Sequence, residues 1–278
     1  MKRFLALSAA CVCILSCRSL VFEDRTECPS YLFFDVTNAA LFNPYDRVYT
    51  TVYRHPAGDL FGSEVPSLRD IQDRVFYYEV RKTEAVKGYG VLGAERCIMQ
   101  KGSEWVVPIG QQFDSLFRFS YVAAVEPESF TVPVEMVKEF ARVTVQFVGV
   151  ETFSGAGGHF PFDVTVTGGT CGVDALTGVP VRGPFQYRPE ETTIGRFEFL
   201  LPRQADHDLF LELYGRDGVY ERIGHVSTFD LYTLLEKDGG MNWQDRNLPD
   251  AYVEINYQEA VVNVVISPWV VEDLDYEF

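Results

Sequence analysis

Apolar and polar residues alternate with a period of two along most of this chain, the pattern of strands that bury one face. Between Arg142 and Val150, Val143, Val145 and Phe147 fall on one side and Thr144 and Gln146 on the other. Phe197, Phe199 and Leu201 alternate up to Pro202, and Leu209, Leu211 and Leu213 alternate with Phe210, Glu212 and Tyr214 opposite. Tyr252–Tyr257 and Val261–Ser267 are joined by Gln258-Glu259-Ala260, short enough for a hairpin. Earlier strands are predicted at Tyr31–Thr37, Val48–Tyr53, Val75–Val80 and Leu116–Val125. Gly155-Ala156-Gly157-Gly158, Gly168-Gly169 and Asp238-Gly239-Gly240 read as turns between runs. Two short helices are predicted. One is Ser67–Arg74; the other is Thr228–Lys237, with Leu231, Leu234 and Leu235 on one side and Gly239 as its stop. Many short strands with few helices argue for an all-β chain of antiparallel sandwiches. Its length suits two of them, and the broken pattern across Glu126–Lys138 divides residues 17–134 from 135–278.

The first 17 residues follow a different rule. Lys2 and Arg3 precede an apolar stretch from Phe4 to Leu15, too short for a permanent span. It ends in Ile14-Leu15-Ser16-Cys17, the form of a bacterial lipobox. The pattern predicts a signal peptide over residues 1–16, cleavage before Cys17 and acylation of that cysteine. Several acyl chains hold a protein to a bilayer far more firmly than one. Cleavage leaves 262 of the 278 residues and removes Cys11 and Cys13. The net charge of −16 becomes −18, since residues 1–16 carry Lys2 and Arg3 but no acid. A chain this acidic, without a Lys/Arg cluster, does not track a phosphate backbone, so no nucleic-acid partner is expected. Cys28, Cys97 and Cys171 remain besides Cys17. Three is odd, their spacing matches no zinc pattern, and a single disulfide among them stays open.

Residue types that can carry catalysis or hold a cofactor occur, but in no pattern that requires either. His55, His159, His207 and His225 form no close ligand pair, so no metal is expected. Ser154 lacks the first glycine of a nucleophile elbow. Gly155–Gly158 leads into an extended segment rather than a helix N-terminus, which disfavours a phosphate cradle. Glu190-Glu191, Asp206/Asp208 and the tail Glu272-Asp273-Leu274-Asp275 read as solvated acids. Trp105, Trp243 and Trp269 could stack on sugars, but packing beside strands is the better reading. No catalytic residue, cofactor or metal site is predicted, and the chain is not expected to be an enzyme.

Several phrases taken in order carry a family resemblance. They are the lipobox; Cys28-Pro29-Ser30-Tyr31-Leu32-Phe33-Phe34; Gly178-Val179-Pro180-Val181-Arg182-Gly183-Pro184-Phe185; Gly195-Arg196-Phe197-Glu198-Phe199-Leu200-Leu201-Pro202-Arg203-Gln204; Asn242-Trp243-Gln244-Asp245-Arg246-Asn247-Leu248-Pro249-Asp250; and Ile266-Ser267-Pro268-Trp269. Together they resemble the FimB-type anchor subunits of Bacteroidota type V fimbriae. The resemblance spans nearly all the mature chain and is strongest over residues 140–270. It implies two tandem transthyretin-like β-sandwich domains with few short helices. It also implies an outer-membrane lipoprotein, exposed at the cell surface, that holds a fimbrial shaft and influences its assembly or length. The expected partners are the membrane, through lipid on Cys17, and a shaft subunit, through β-strand addition. Related shaft subunits lose an N-terminal strand to a protease that cuts after arginine. An anchor would keep that segment, since a cut after Arg18, Arg25, Arg47 or Arg54 would release the lipid. The alternatives are a tip or stalk subunit, or a surface glycan-binding lipoprotein using Trp and Tyr platforms.

Overall fold

The computed structural model describes residues 28–37, 47–82, 85–126, 128–149, 160–216, 222–256 and 261–268. Residues 1–16, read above as a signal peptide, and Cys17, Arg18, Arg25, Ser154, Gly155–Gly158, His159, Trp269 and the acidic tail lie outside them. The described chain is all-β, with nineteen strands. In the first half these are β1 (Pro29–Asp35), β2 (Val48–His55), β3 (Leu60–Glu64), β4 (Tyr78–Arg81), β5 (Ala85–Leu92), β6 (Ile98–Met99), β7 (Glu104–Val106), β8 (Phe117–Ala123) and β9 (Ser129–Pro133). The remainder are β10 (Val137–Lys138), β11 (Phe140–Val148), β12 (Phe162–Asp174), β13 (Pro180–Tyr187), β14 (Glu191–Thr193), β15 (Arg196–Pro202), β16 (Leu209–Arg216), β17 (Arg222–Asp230), β18 (Asp250–Asn256) and β19 (Val261–Ser267).

They form four sheets, ordered β4-β1-β9, β10-β8-β5-β2-β3, β14-β15-β11-β18-β19 and β17-β16-β12-β7-β6, with β13 beside β12. The alternating runs do bury one face. Val143, Val145 and Phe147 of β11, Phe197 and Leu201 of β15, and Leu209, Leu211 and Leu213 of β16 are all at most 1% exposed. Phe147 stacks on Phe160 at 4.5 Å and meets Phe229 of β17 at 6.5 Å, which joins the last two sheets across a core. The β18–β19 hairpin pairs continuously from Asp250↔Ser267 to Asn256↔Val261.

Both helices are shorter than expected. The first, α1 (Leu68–Gln72), begins at Ser67, whose Oγ accepts from the Asp70 N–H at 3.0 Å. In the second, Thr228 still belongs to β17. Helix α2 (Leu231–Thr233) starts only after Asp230 caps it and runs into a π-turn, Leu234–Asp238. Val75 and Phe76 likewise precede β4 rather than lie in it. The stretch Glu126–Lys138, read as a break, contains β9.

Gly168-Gly169 is not a turn. It lies inside β12, the longest strand, where the pairing with β13 shifts register. Glycine recurs in that strand because neighbours come close. A Cβ on Gly172 would lie 2.0 Å from the Trp105 carbonyl oxygen of β7. That approach lets β6 and β7, which precede the midpoint of the chain, extend the last sheet.

One further contact, Arg118 to Glu139, ties the halves. The Glu139 carboxylate, 0% exposed, accepts from Arg118 Nε of β8 at 2.7 Å and from Arg203 Nε, just past β15, at 2.8 Å. Arg203 also donates to the carbonyls of Trp243, Asp245 and Arg246, so its fork is spent on backbone of the second half. Beside it Lys138 Nζ donates to Asp250 at 2.6 Å and to the Leu248 carbonyl at 2.9 Å.

Candidate functional site: the first strand and the groove that holds it

Strand β1 is central in its sheet. It runs antiparallel to β4 and parallel to β9, so neither of its edges is free. Its alternation is strict: Ser30, Leu32 and Phe34 point inward and are at most 4% exposed, with Val36 following at 2%. Ser30 Oγ donates to the Glu126 carbonyl, and the Val134 N–H donates to the Asp35 carbonyl at 2.9 Å, which closes both ends of the pairing.

The groove beneath β1 is aromatic. Phe34 meets Phe119 and Tyr121 of β8 at 5.6 Å each and Tyr78 of β4 at 6.3 Å. Those β8 rings lie across glycines of β5. A Cβ on Gly90 would sit 2.1 Å from Phe119, and one on Gly88 2.5 Å from the Tyr121 hydroxyl. Tyr78 donates to the Thr50 carbonyl at 3.0 Å, and burial pushes its phenol up to about 12. Burial raises Tyr121 as well, so the groove presents neutral phenols. Each buried Leu, Phe or Val side chain of β1 contributes roughly 1.5–3 kcal/mol. Losing the strand would open this apolar floor to water.

The outward face of β1 is also aromatic. Tyr31 and Tyr77 pack edge to face at 5.2 Å, and Phe33 lies 5.8 Å from Tyr77. The Arg74 guanidinium covers Phe33 at 4.5 Å and donates to Thr131 Oγ1 of β9 at 2.9 Å. Arg74 has a left-handed backbone, φ 57°. A cavity of about 410 Å³ opens nearby, lined by Phe34, Asp35, Thr37, Gln72, Arg74 and Thr131 among others. Hydrogen bonds from Thr37 hold the Asp35 carboxyl below its usual value.

Of the arginines weighed as cut sites, two are described. Arg47 is exposed, between β1 and β2, where its backbone bridges Ser67. Arg54 lies within β2 and pairs with Asp59 at 3.4 Å. A cut at Arg47 would separate β1 from the rest; a cut at Arg54 would first have to break a paired strand.

The other sequence candidates are dispersed. Trp105 packs on Tyr49 at 4.9 Å and Trp243 stacks on Tyr232 at 5.8 Å, both nearly fully buried, so neither is a platform for sugar. His207 packs on Tyr232 and His225 Nε2 bonds Thr228 Oγ1, far apart in the sequence from His55 at the end of β2. Glu191 accepts from the N–H groups of Phe160 and Gly195, a structural use. Among the described residues no three His, Cys, Asp or Glu side chains gather to hold a metal ion, and no helix is long and apolar enough to cross a membrane. Cys97, Cys171 and exposed Cys28 form no disulfide. Sequence reasoning overlooked Arg74, Tyr77 and the β5 glycines. Their only signal was chemical type, since their partners are remote in the chain.

No protein-family model and no curated protein matches the chain. Solved structures do. A candidate polysaccharide-binding protein from Bacteroides thetaiotaomicron aligns with a TM-score of 0.60 at 13% identity, covering 87% of this chain and 97% of its own. A candidate adhesin from Bacteroides ovatus gives 0.59 at 14%, covering 87% and 94%. The fimbrial anchor protein Mfa2 from Porphyromonas gingivalis gives 0.57 at 13%, covering 88% and 99%. The chain thus has the fold of Bacteroidota fimbrial and adhesin proteins.

Proposed function

We propose that this chain, with its fimbrial and adhesin fold, is a surface subunit that anchors a fimbrial shaft to the outer membrane through lipid on Cys17. The observation that carries the reading is the seating of β1. The strand that follows the lipidation signal is integral to the first sandwich. A protein that keeps it stays covalently joined to its tether, and the groove a shaft subunit would open stays filled. Mfa2 is described as a fimbrial anchor; at 13% identity it supports the fold, and the role is our extension. By holding the last subunit, such a protein would also limit fimbrial assembly and length. The two sandwiches, residues 17–134 and 135–278, form the stalk between bilayer and shaft. Neither needs an active site for this work.

The test is a gene deletion beside a Cys17→Ala allele. Deletion should shed fimbriae into the medium with their shaft subunits still folded and polymerised. Cys17→Ala protein should leave the membrane fraction and fail to retain fimbriae. Normal numbers of attached fimbriae after deletion would refute the anchor role.

The exposed face of Tyr31, Phe33 and Tyr77 favours a second reading, surface glycan binding. Calorimetric titration with soluble capsular polysaccharide, and loss of its signal in Tyr77→Ala, would move the assignment there. Exposed Arg47 favours a tip or stalk role instead. A surface form of the protein starting at Val48 would select it.

A further inference from the structure

We infer that the cavity on the outward face of β1 is a binding site for an uncharged sugar ring that presents neighbouring hydroxyls. The inference rests on the glycan reading above and names its sugar and its site. It does not depend on the anchor role, and since the cavity leaves the buried face of β1 untouched, an anchor can carry it. Along β1 the outward positions are Tyr31, Phe33 and Asp35, with Thr37 next in step. Thr131 of β9 stands opposite Phe33 in the parallel pairing, and Gln72 and Arg74 approach from the end of α1 and the turn after it. Asp35, Thr37, Gln72, Arg74 and Thr131 are all exposed, so the cavity opens to solvent. Its volume of about 410 Å³ falls within the span of small-molecule clefts, about 300–1,000 Å³.

The polar groups around it have hydrogen-bonding capacity left over. Thr37 donates both its N–H and its hydroxyl to Asp35 Oδ1, at 3.0 and 2.6 Å, which leaves Oδ2 to accept from a ligand. Arg74 Nη2 donates to Thr131 Oγ1 at 2.9 Å, and the guanidinium has further N–H groups to give. Thr131 keeps its own hydroxyl proton, and the Gln72 amide can donate and accept.

Charge balance selects the ligand. One carboxylate, Asp35, and one guanidinium, Arg74, line the cavity. Asp35 repels an anion and Arg74 a cation, and either ion would leave the like-charged group desolvated without a partner. The two charges also attract each other, so neither stands unopposed for a zwitterion. Neighbouring hydroxyls satisfy both groups at once, one donating to the carboxylate while the next accepts from the guanidinium. Beyond the cavity the same face turns aromatic. Tyr31 and Tyr77 are 36% and 44% exposed, with Phe33 between them and the cavity beneath Arg74. Exposed rings suit the C–H face of a pyranose and leave its hydroxyls free. Tyr31 and Asp35 lie about 13 Å apart along the strand, so a short oligosaccharide with one ring in the cavity reaches the tyrosines.

The probes are the methyl glycosides of glucose, galactose and mannose, with the uronate and 2-amino forms of each as charged controls. They are added to the full-length protein in detergent and read by saturation-transfer NMR. At least one neutral glycoside should bind saturably, about tenfold more tightly than both of its charged forms. Asp35→Asn keeps an acceptor oxygen for Thr37 and removes the negative charge, so it should shift the preference toward the uronate. Arg74→Gln should shift it toward the amino sugar. Should Arg74→Gln fold poorly, the shift in Asp35→Asn decides alone. No binding of any neutral glycoside, a charged form bound as tightly as the neutral one, or a preference that Asp35→Asn leaves unmoved would overturn the proposal. So would tighter binding of free phenylalanine, which assigns the cavity to a zwitterion. Binding that appears only when residues 38–46 are replaced by a Gly/Ser linker assigns the cavity to the chain's own segment, and overturns it equally. Failure of every glycoside while capsular polysaccharide still gives its Tyr77-dependent heat removes this cavity and leaves the glycan reading standing.

Discussion

Lys138 shows what burial does to a single charge. Its side chain is 2% exposed, its ammonium lies 4.7 Å from the centre of the Phe140 ring, and Asp250 accepts from it at 2.6 Å. Burial outweighs that partner and holds the ammonium below its ordinary 10.5. The folded value is therefore lower than the unfolded one. Below the folded value lysine is charged in both states and the penalty is full; above 10.5 it is neutral in both and the penalty is gone. Wild type should thus gain stability relative to Lys138→Met as pH rises through that window. Urea unfolding of both proteins at intervals from neutral pH upward checks it, and a constant difference would contradict it. Cys97 and Cys171 are a second instance of position deciding chemistry. Val107 separates them, since its N–H donates to the Cys171 carbonyl and Ile98 pairs with Val106 one residue along. Two strand spacings are about 9.5 Å, beyond the reach of a disulfide.

At the scale of elements, Phe34 links β1 to the aromatic floor. Phe34→Ala should cost roughly 3–5 kcal/mol, the usual range for truncating a buried phenylalanine. It should also hasten tryptic cleavage at Arg47, by raising the fraction of molecules with β1 displaced. Unchanged stability and cleavage would mean β1 is held by its backbone alone. Strands whose own residues alternate, such as β11, β15, β16 and the β18–β19 hairpin, were legible in the sequence, because period two is a local property. Strands β5 and β12 were not. Gly88, Gly90, Gly168, Gly169 and Gly172 interrupt their apolar pattern, and glycine there makes room for a neighbour rather than a turn. The parallel partnership of β1 with β9 was equally hidden, since about a hundred residues separate the two. Of the site, the sequence offers Cys17 and the apolar face of β1. The Arg74–Phe33 contact depends on which strands become neighbours.

In the whole molecule, the Arg118–Glu139–Arg203 contact and the crossing of β6–β7 couple the two halves. Glu139 sits between two guanidiniums with no access to water. Glu139→Gln leaves both without their counter-charge and should lower stability by roughly 3–5 kcal/mol. Calorimetry of the wild type should show one transition, because unfolding either half tears strands from the other. In Glu139→Gln the transition should broaden or split. Two resolved transitions in the wild type would mean that the junction does not couple them.

The placement of β1 has a mechanical meaning. On the anchor reading, load would enter ahead of Pro29, and any component of it along β1 would bear on that strand's pairing. The hydrogen bonds to β4 and β9 would then be strained side by side, in shear, rather than opened one after another like a zipper. Forced rupture is governed by the unfolding rate, not by equilibrium stability. In the proposed anchor role, a strand gripped on both edges and seated on rings would be suited to bear the drag of flowing liquid on a long appendage.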